Sequence, residues 1–197
     1  ILGALHPGGL VGALTRAYTV LAIGIPSFWL GILLVLLVSL KLRWLPPSGY
    51  IAPGADFVHW LKLISLPALT LAVYVSAVLA RFIKASILET LGNDYVRTAK
   101  AKGLAPRSVL VGHVMRNDLL PIVTMIGLQA GGLLGGAVVV ESIFAWPGIG
   151  RLLVSSIEKR DYMVVQAIIL IGATLFLLIN LLTDLLYGVL DPRIRAQ

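Results

Sequence analysis

Four stretches of this chain are apolar enough to lie in a lipid bilayer, and three of them run for more than twenty residues without a charge. Ala17 to Leu40, Leu119 to Val140 and Tyr162 to Thr183 each supply the ~20 residues that cross ~30 Å of hydrocarbon as a helix. Leu63 to Ala80 is shorter, and it extends to about Ile87 if Arg81 and Lys84 snorkel toward the headgroups. The expected fold is therefore all-α, a polytopic membrane bundle with four full transmembrane helices. Pro26, Pro67 and Pro121 fall in or near these spans, where packed membrane helices accept proline at kinks or first turns.

Composition supports the same solvent. The chain is 58% hydrophobic and 13% charged, with mean hydropathy +0.96, whereas a globular domain carries about 25% charged residues. One core in a soluble chain of this length would not hide so much apolar surface. The net charge of +7 raises nucleic acid as a partner, but no compact basic face interleaved with aromatics is present. Positive charge beside membrane helices instead reports orientation and contact with anionic lipid. With no cysteine there are no disulfides or thiolate sites, and His6, His59 and His113 have no ligand spacing, so no metal site is expected. Ile1 to Leu5 read as the last turn of an earlier helix, which gives the expectation that residues 1–197 are the C-terminal part of a longer chain and form one transmembrane domain.

The segments between the spans differ in charge. Residues 41–62 hold Trp44-Leu-Pro-Pro-Ser-Gly and Trp60, read as turns with interfacial aromatics. Residues 81–118 carry Arg81, Lys84, Arg97, Lys100, Lys102, Arg107 and Arg116 against Glu89, Asp94 and Asp118. If residues 1–16, 81–118 and 191–197 share one side, that side collects ten Lys and Arg and the other collects six. The positive-inside rule then puts the 81–118 loop and the C-terminus in the cytoplasm. Gly127, Gly131, Gly132, Gly135 and Gly136 recur along one span, which reads as close helix packing or, alternatively, as a glycine-lined pore surface.

The basic loop has its own helical pattern. Asn93 or Asp94 suits an N-cap, and Tyr95, Val96 and Ala99 fall on one face with Arg97, Lys100 and Lys102 largely off it. Gly103 can end that helix in the left-handed conformation, and Ala105-Pro106 can start another. Val109, Leu110, Val114 and Met115 give the second helix an apolar stripe, after which Asn117 or Asp118 can cap the next span with Pro121 in its first turn. Such a basic pair can rest on anionic headgroups or dock a soluble protein.

Outside this loop, polar groups are few. Glu141-Ser-Ile-Phe-Ala-Trp-Pro-Gly-Ile-Gly-Arg151 reads as a re-entrant turn anchored by Phe144 and Trp146, or as an outer gate or partner contact involving Glu141, Pro147 and Gly148. Asn180 and Asp184 lie one turn apart on the last span and read as a structural hydrogen-bonding pair or as pathway residues, with Arg193, Arg195 or another chain able to pair with Asp184. Gln129 is either interhelical glue or a pathway residue.

Asp94-Tyr-Val-Arg-Thr-Ala-Lys-Ala-Lys-Gly-Leu104, His113-Val-Met-Arg-Asn-Asp-Leu-Leu-Pro121, Glu141 to Gly150, Arg160-Asp-Tyr162, Asn180 to Tyr187 and Leu190-Asp-Pro-Arg193 occur in this order. With Pro26-Ser-Phe-Trp29 and Trp44 to Gly49, the chain resembles the permease subunits of binding-protein-dependent ABC importers over nearly all its length. The likeness is to the dipeptide, oligopeptide and nickel branch, on its permease B-type side. It implies a type I importer permease fold and a cytoplasmic coupling loop at about 86–118 whose short helix sits in a groove on an ATPase. By that resemblance Tyr95, Arg97, Thr98, Ala99, Lys100, Lys102 and Gly103 occupy the coupling position. Arg97 and Thr98 stand where the wider family has Glu and Ala, and the interval from Gly103 to Pro121 is long; both departures are shared by the peptide and nickel branch. Asp118 replaces that branch's usual alanine.

The resemblance further implies a prokaryotic inner-membrane location and a second permease subunit forming a heterodimer. Two cytoplasmic ATPase subunits would bind ATP and Mg, an extracytoplasmic solute-binding protein would deliver solute, and this chain would be non-catalytic, without a cofactor of its own. No Gly-x-x-x-x-Gly-Lys-Ser/Thr phosphate loop occurs in these residues. The implied cargo is di- or oligopeptide, with nickel or glutathione as alternatives. A secondary transporter or channel would need paired intramembrane ionisable groups or inverted repeats, and neither is found. An intramembrane protease fares no better, because Ser27, Ser39 and Ser76 lie in spans without a histidine beside them.

Overall fold

A computed structural model describes residues 9–190, and all regular structure within them is helical. The elements are α1 (Leu10–Gly24), α2 (Ser27–Leu34, continuing as π-helix over Val35–Lys41) and α3 (Phe57–Leu91). Next come α4 (Asp94–Ala101) and α5 (Pro106–Ser108), then a π-helical stretch (Val109–Met115) that leads directly into α6 (Arg116–Ile143). Two further helices, α7 (Ile149–Glu158) and α8 (Tyr162–Leu190), complete the described chain. Ile1 to Leu5, His6, Arg193 and Arg195, on which expectations were placed, lie outside the described residues.

Three helical segments, Phe57–Leu91, Pro106–Leu133 and Tyr162–Gly188, are long and apolar enough to cross a membrane. The expected span over residues 17–40 is interrupted after Gly24; neither α1 nor α2 qualifies alone, and the two together make the fourth candidate span. The cause is Pro26, whose backbone is extended at φ −60° and ψ 137°. Proline donates no N–H and pushes the preceding residue away from helical geometry. The fourth run also differs from expectation, since α3 takes in both Trp60 and Arg81 and reaches Leu91. At 1.5 Å per residue its 35 residues span ~52 Å, more than the hydrocarbon needs.

The chain forms two compact units. One comprises the described parts of 1–22, 76–128 and 180–197, the other 23–75 and 129–179. In the first, Ile87, Val96, Ala99, Val109 and Val114 form a buried cluster that joins the end of α3 to α4 and the π-helical stretch. Farther along this unit the Tyr18 and Ser76 hydroxyls hydrogen-bond at 2.5 Å, and Tyr187 donates to Thr124 at 2.5 Å. In the second unit the core is Leu66, Val140 and Phe144, packed by Leu34, Val35 and Ile143. Gly31 of α2 packs beside the Phe144 ring, where a Cβ would lie in van der Waals contact at 3.4 Å. Only 6% of the most apolar stretch of α8 is buried among the described residues.

The glycine row is not uniform. A Cβ on Gly127 would collide with the Thr183 side chain, and one on Gly131 would come within 2.6 Å of the Phe176 ring, so these two are packing glycines. Gly132, Gly135 and Gly136 have nothing within 4 Å of the same position and face open space.

Candidate coupling element

α4 is an eight-residue amphipathic helix. Val96 and Ala99 are buried in the apolar cluster, while Arg97, Thr98, Lys100 and Lys102 are exposed on the other side. Burying two small apolar residues fixes the helix to its platform and leaves its basic face free. Asn93 holds the N-cap position with extended backbone (φ −70°, ψ 147°), as expected, although its side chain makes no capping hydrogen bond. Its carbonyl accepts the Val96 and Arg97 N–H groups at 3.1 and 3.2 Å.

Gly103 ends this helix as expected, with φ +77°. Leu104 N–H reaches the Ala99 carbonyl at 3.4 Å and Gly103 N–H the Lys100 carbonyl at 3.0 Å, the paired closure of a Schellman motif. A Cβ at Gly103 would have no neighbour within 4 Å, so glycine is required by conformation and not by crowding. Pro106 then opens α5 in its first turn.

The exposed basic residues are weakly committed. Arg97 Nη1 lies 3.4 Å from Asp94 Oδ1, with both side chains largely in solvent. Such pairs contribute little and are screened by salt, so Arg97 can exchange Asp94 for an acid on another protein. Tyr95 is held differently, because its hydroxyl accepts a hydrogen bond from Asn117 Nδ2 at 2.8 Å.

Asn117 and Asp118 do not cap a new span. The helix passes through them without a break, and Pro121 is inside α6. Asp118 is buried, and its Oδ1 accepts from Ser86 Oγ at 3.0 Å and Thr90 Oγ1 at 2.6 Å. The sequence signal for this was available in outline: Ser86 and Thr90 are four apart on α3 and so share one face.

The remaining polar candidates separate. Glu141, at the end of α6, turns its carboxylate to the N-terminus of α7, where Oε2 accepts the Arg151 N–H at 2.8 Å. Phe144 is core, and its carbonyl accepts Gly49 N–H at 2.9 Å; Trp146 meets Tyr50 edge to face at 5.1 Å. Pro147 is exposed and Gly148 half-buried beside Glu141. The expected re-entrant turn over Glu141 to Arg151 is instead the end of α6, a short turn and the start of α7. Gln129 borders a cavity of about 360 Å³ with Ser27, Tyr74, Gly132 and Gly136. On α8 Asn180 is half-buried and Asp184 exposed, and the arginines expected opposite Asp184 lie outside the described residues.

An all-helical chain with three helices, or four counting the broken pair, long and apolar enough to cross a membrane has the fold class of a type I ABC permease. The chain belongs to the family described as binding-protein-dependent transport system inner membrane component, which matches residues 1–196. It is 48% identical over 197 residues, all of this chain and 62% of the relative, to the glutathione transport system permease protein GsiC of Pectobacterium atrosepticum. Against the same-named protein of Escherichia coli K12 it is 50% identical over 184 residues, 93% of this chain and 58% of that one. The Shigella flexneri serotype 5b protein of that name is 49% identical over 184 residues, with the same coverage. The chain thus spans about three fifths of the length of the curated relatives it matches.

Proposed function

We propose that this chain is the membrane-embedded half of a heterodimeric pathway in an ATP-driven importer of the prokaryotic inner membrane, with α4 as its coupling helix and the 81–118 segment in the cytoplasm. The observation that carries the reading is the two-sided build of α4, with Val96 and Ala99 buried and Arg97, Thr98, Lys100 and Lys102 exposed. A cytoplasmic ATPase with an acidic groove would receive the exposed face. When ATP closes the two ATPase subunits, a helix fixed to the ends of α3 and α6 would carry that motion into the bilayer and turn the pathway outward. A solute-binding protein would deliver cargo at the opposite face, near Glu141, Trp146, Pro147 and Gly148.

For cargo, the relatives' name, glutathione transport system permease, supports a short peptide of glutathione's size. The cavity beside Gln129 suits such a solute, since Ser27, Tyr74 and Gln129 offer uncharged hydrogen-bonding groups within an apolar wall. Those groups would hold a peptide amide loosely enough for release.

The test is reconstitution of the full chain with its genomic partners in proteoliposomes, measuring ATP-dependent uptake of glutathione, dipeptides, longer peptides and nickel. Co-purification of an ATPase and peptide uptake are expected. Absence of an ATPase from the intact assembly sinks the importer reading, while uptake of nickel alone sinks the peptide reading.

A further inference from the structure

Adjacent residues of α6 reach in two directions. Asn117 Nδ2 donates to the Tyr95 hydroxyl on α4 at 2.8 Å, and Asp118 Oδ1 receives Ser86 and Thr90 of α3 at 3.0 and 2.6 Å. We propose that Asn117 and Asp118 form a polar tie that holds the coupling helix, α3 and α6 in one register, making Asp118 a positioning residue for energy coupling. The inference rests on α4 being the coupling helix and adds what joins it to the membrane helices.

Three features support the tie. First, the apolar cluster alone is weakly directional: Val96, Ala99, Val109 and Val114 are small or β-branched, and contacts of this type allow sliding. Hydrogen bonds on two sides of one helical turn add the missing direction. Second, Asp118 is only 2% exposed, and its Oδ2 is buried with no hydrogen-bond partner among the described residues. A buried carboxylate oxygen without a partner is destabilising, so a residue that only filled space would be better served by an apolar side chain. Third, Oδ1 collects two hydroxyls one turn apart on α3, which fixes both the rotation and the height of that helix against α6. A single hydrogen bond would fix neither.

Tyr95 is the other end of the tie. Its hydroxyl is anchored, yet the residue is 41% exposed, so a partner seated on α4 would touch the ring while Asn117 holds its tip. Force applied at that ring passes to α6 through one hydrogen bond, and from the neighbouring residue to α3 through two more.

The experiment compares wild type with Asp118→Ala, Asp118→Asn and Asn117→Ala in the full assembly, reading uptake and ATP hydrolysis together. Asp118→Ala and Asn117→Ala should lower uptake per ATP by about fivefold or more, at the lower edge of ordinary intersite coupling. Asp118→Asn, which keeps an acceptor oxygen for Ser86 and Thr90, should recover most of the ratio. A ratio in Asp118→Ala equal to wild type overturns the tie.

Because Asp118→Ala could fail to assemble, a second measurement uses the absence of cysteine from residues 1–197, any cysteine elsewhere in the full chain being replaced. Spin labels at Glu89→Cys and Ala101→Cys, both exposed positions, report the distance between the end of α3 and α4 in the full chain. The distribution should broaden when Ser86→Ala and Thr90→Val are combined, and an unchanged width overturns the tie irrespective of transport. A wild-type chain with a narrow distribution but no ATP-driven uptake would instead refute the importer reading and leave the tie standing.

Discussion

The Glu141 carboxylate accepts the backbone N–H of Arg151 at 2.8 Å, so the last turn of α6 caps the first turn of α7. Gly148 holds the N-cap position of α7 and has no side chain to do this. Glu141 substitutes for it from the neighbouring helix, and its negative charge suits the positive end of α7. Replacing Glu141 by alanine should therefore loosen α7 by about 1 kcal/mol, the usual cost of a lost cap. Hydrogen exchange of the α7 amides should accelerate about fivefold, and Glu141→Gln should lie between alanine and wild type. Unaltered exchange in Glu141→Ala would remove the capping role.

The two glycines of this corner should respond differently to alanine. A Cβ at Gly148 would meet the Glu141 carboxylate, the movable end of a long side chain. At Gly150 it would come within 2.6 Å of the Val138 Cα, which is backbone and cannot turn aside. Gly150→Ala should cost about 1–3 kcal/mol, as overpacked sites do, and Gly148→Ala less. Thermal unfolding in detergent ranks the two, and the opposite order would contradict the packing described.

At Gly103 the argument is conformational. The residue sits at φ +77° with open space around its missing Cβ. A β-branched residue meets the left-handed penalty of about 1–2 kcal/mol in full, whereas asparagine tolerates that region. Gly103→Val should abolish most coupled uptake while leaving membrane insertion intact, and Gly103→Asn should retain a substantial part. Equal transport by wild type and Gly103→Val would take the coupling role from this turn.

The exposed cations predict a salt effect. If Arg97, Lys100 and Lys102 meet acidic groups, ATPase retention on the assembly should fall as ionic strength rises from about 0.1 M toward 1 M, where the screening length shrinks from ~10 to ~3 Å. The double variant Arg97→Glu, Lys100→Glu should release the ATPase even in low salt. Retention indifferent to salt and to charge reversal would leave α4 with an apolar mode of docking, or none.

Much of this architecture was legible beforehand because membrane helices and turns carry local signals. The run from Tyr162 announces α8 by length alone, and Gly103 followed by Ala105-Pro106 marks a helix end and a new start whatever lies nearby. What stayed hidden depends on distant neighbours. Asp118 resembles a cap in sequence, but Ser86 and Thr90 lie 32 and 28 residues away and decide its role. Likewise, nothing local distinguishes Gly131 from Gly132, since only the ring of Phe176 tells packing from open space. Pro26 marks an interruption of the first apolar run in sequence, but proline alone does not say how far a helix bends.

That difference among the glycines gives the last prediction. Gly127 faces Thr183 and Gly131 faces Phe176, so alanine at either should destabilise the protein by about 1–3 kcal/mol. Gly132 borders the cavity beside Gln129, and Gly136 lines it too, with room at both missing Cβ positions. Alanine at these sites should change stability by no more than about 0.5 kcal/mol. If solute passes along this wall, however, Gly132→Leu should narrow a cavity of about 360 Å³ and lower uptake of longer peptides before dipeptides. Stability and uptake would then part company along a single helix: one face of α6 fails by unfolding, the other by obstruction. Loss of stability in Gly132→Ala comparable to Gly127→Ala would mean that both faces are packed, and the cavity would lose its place in the pathway.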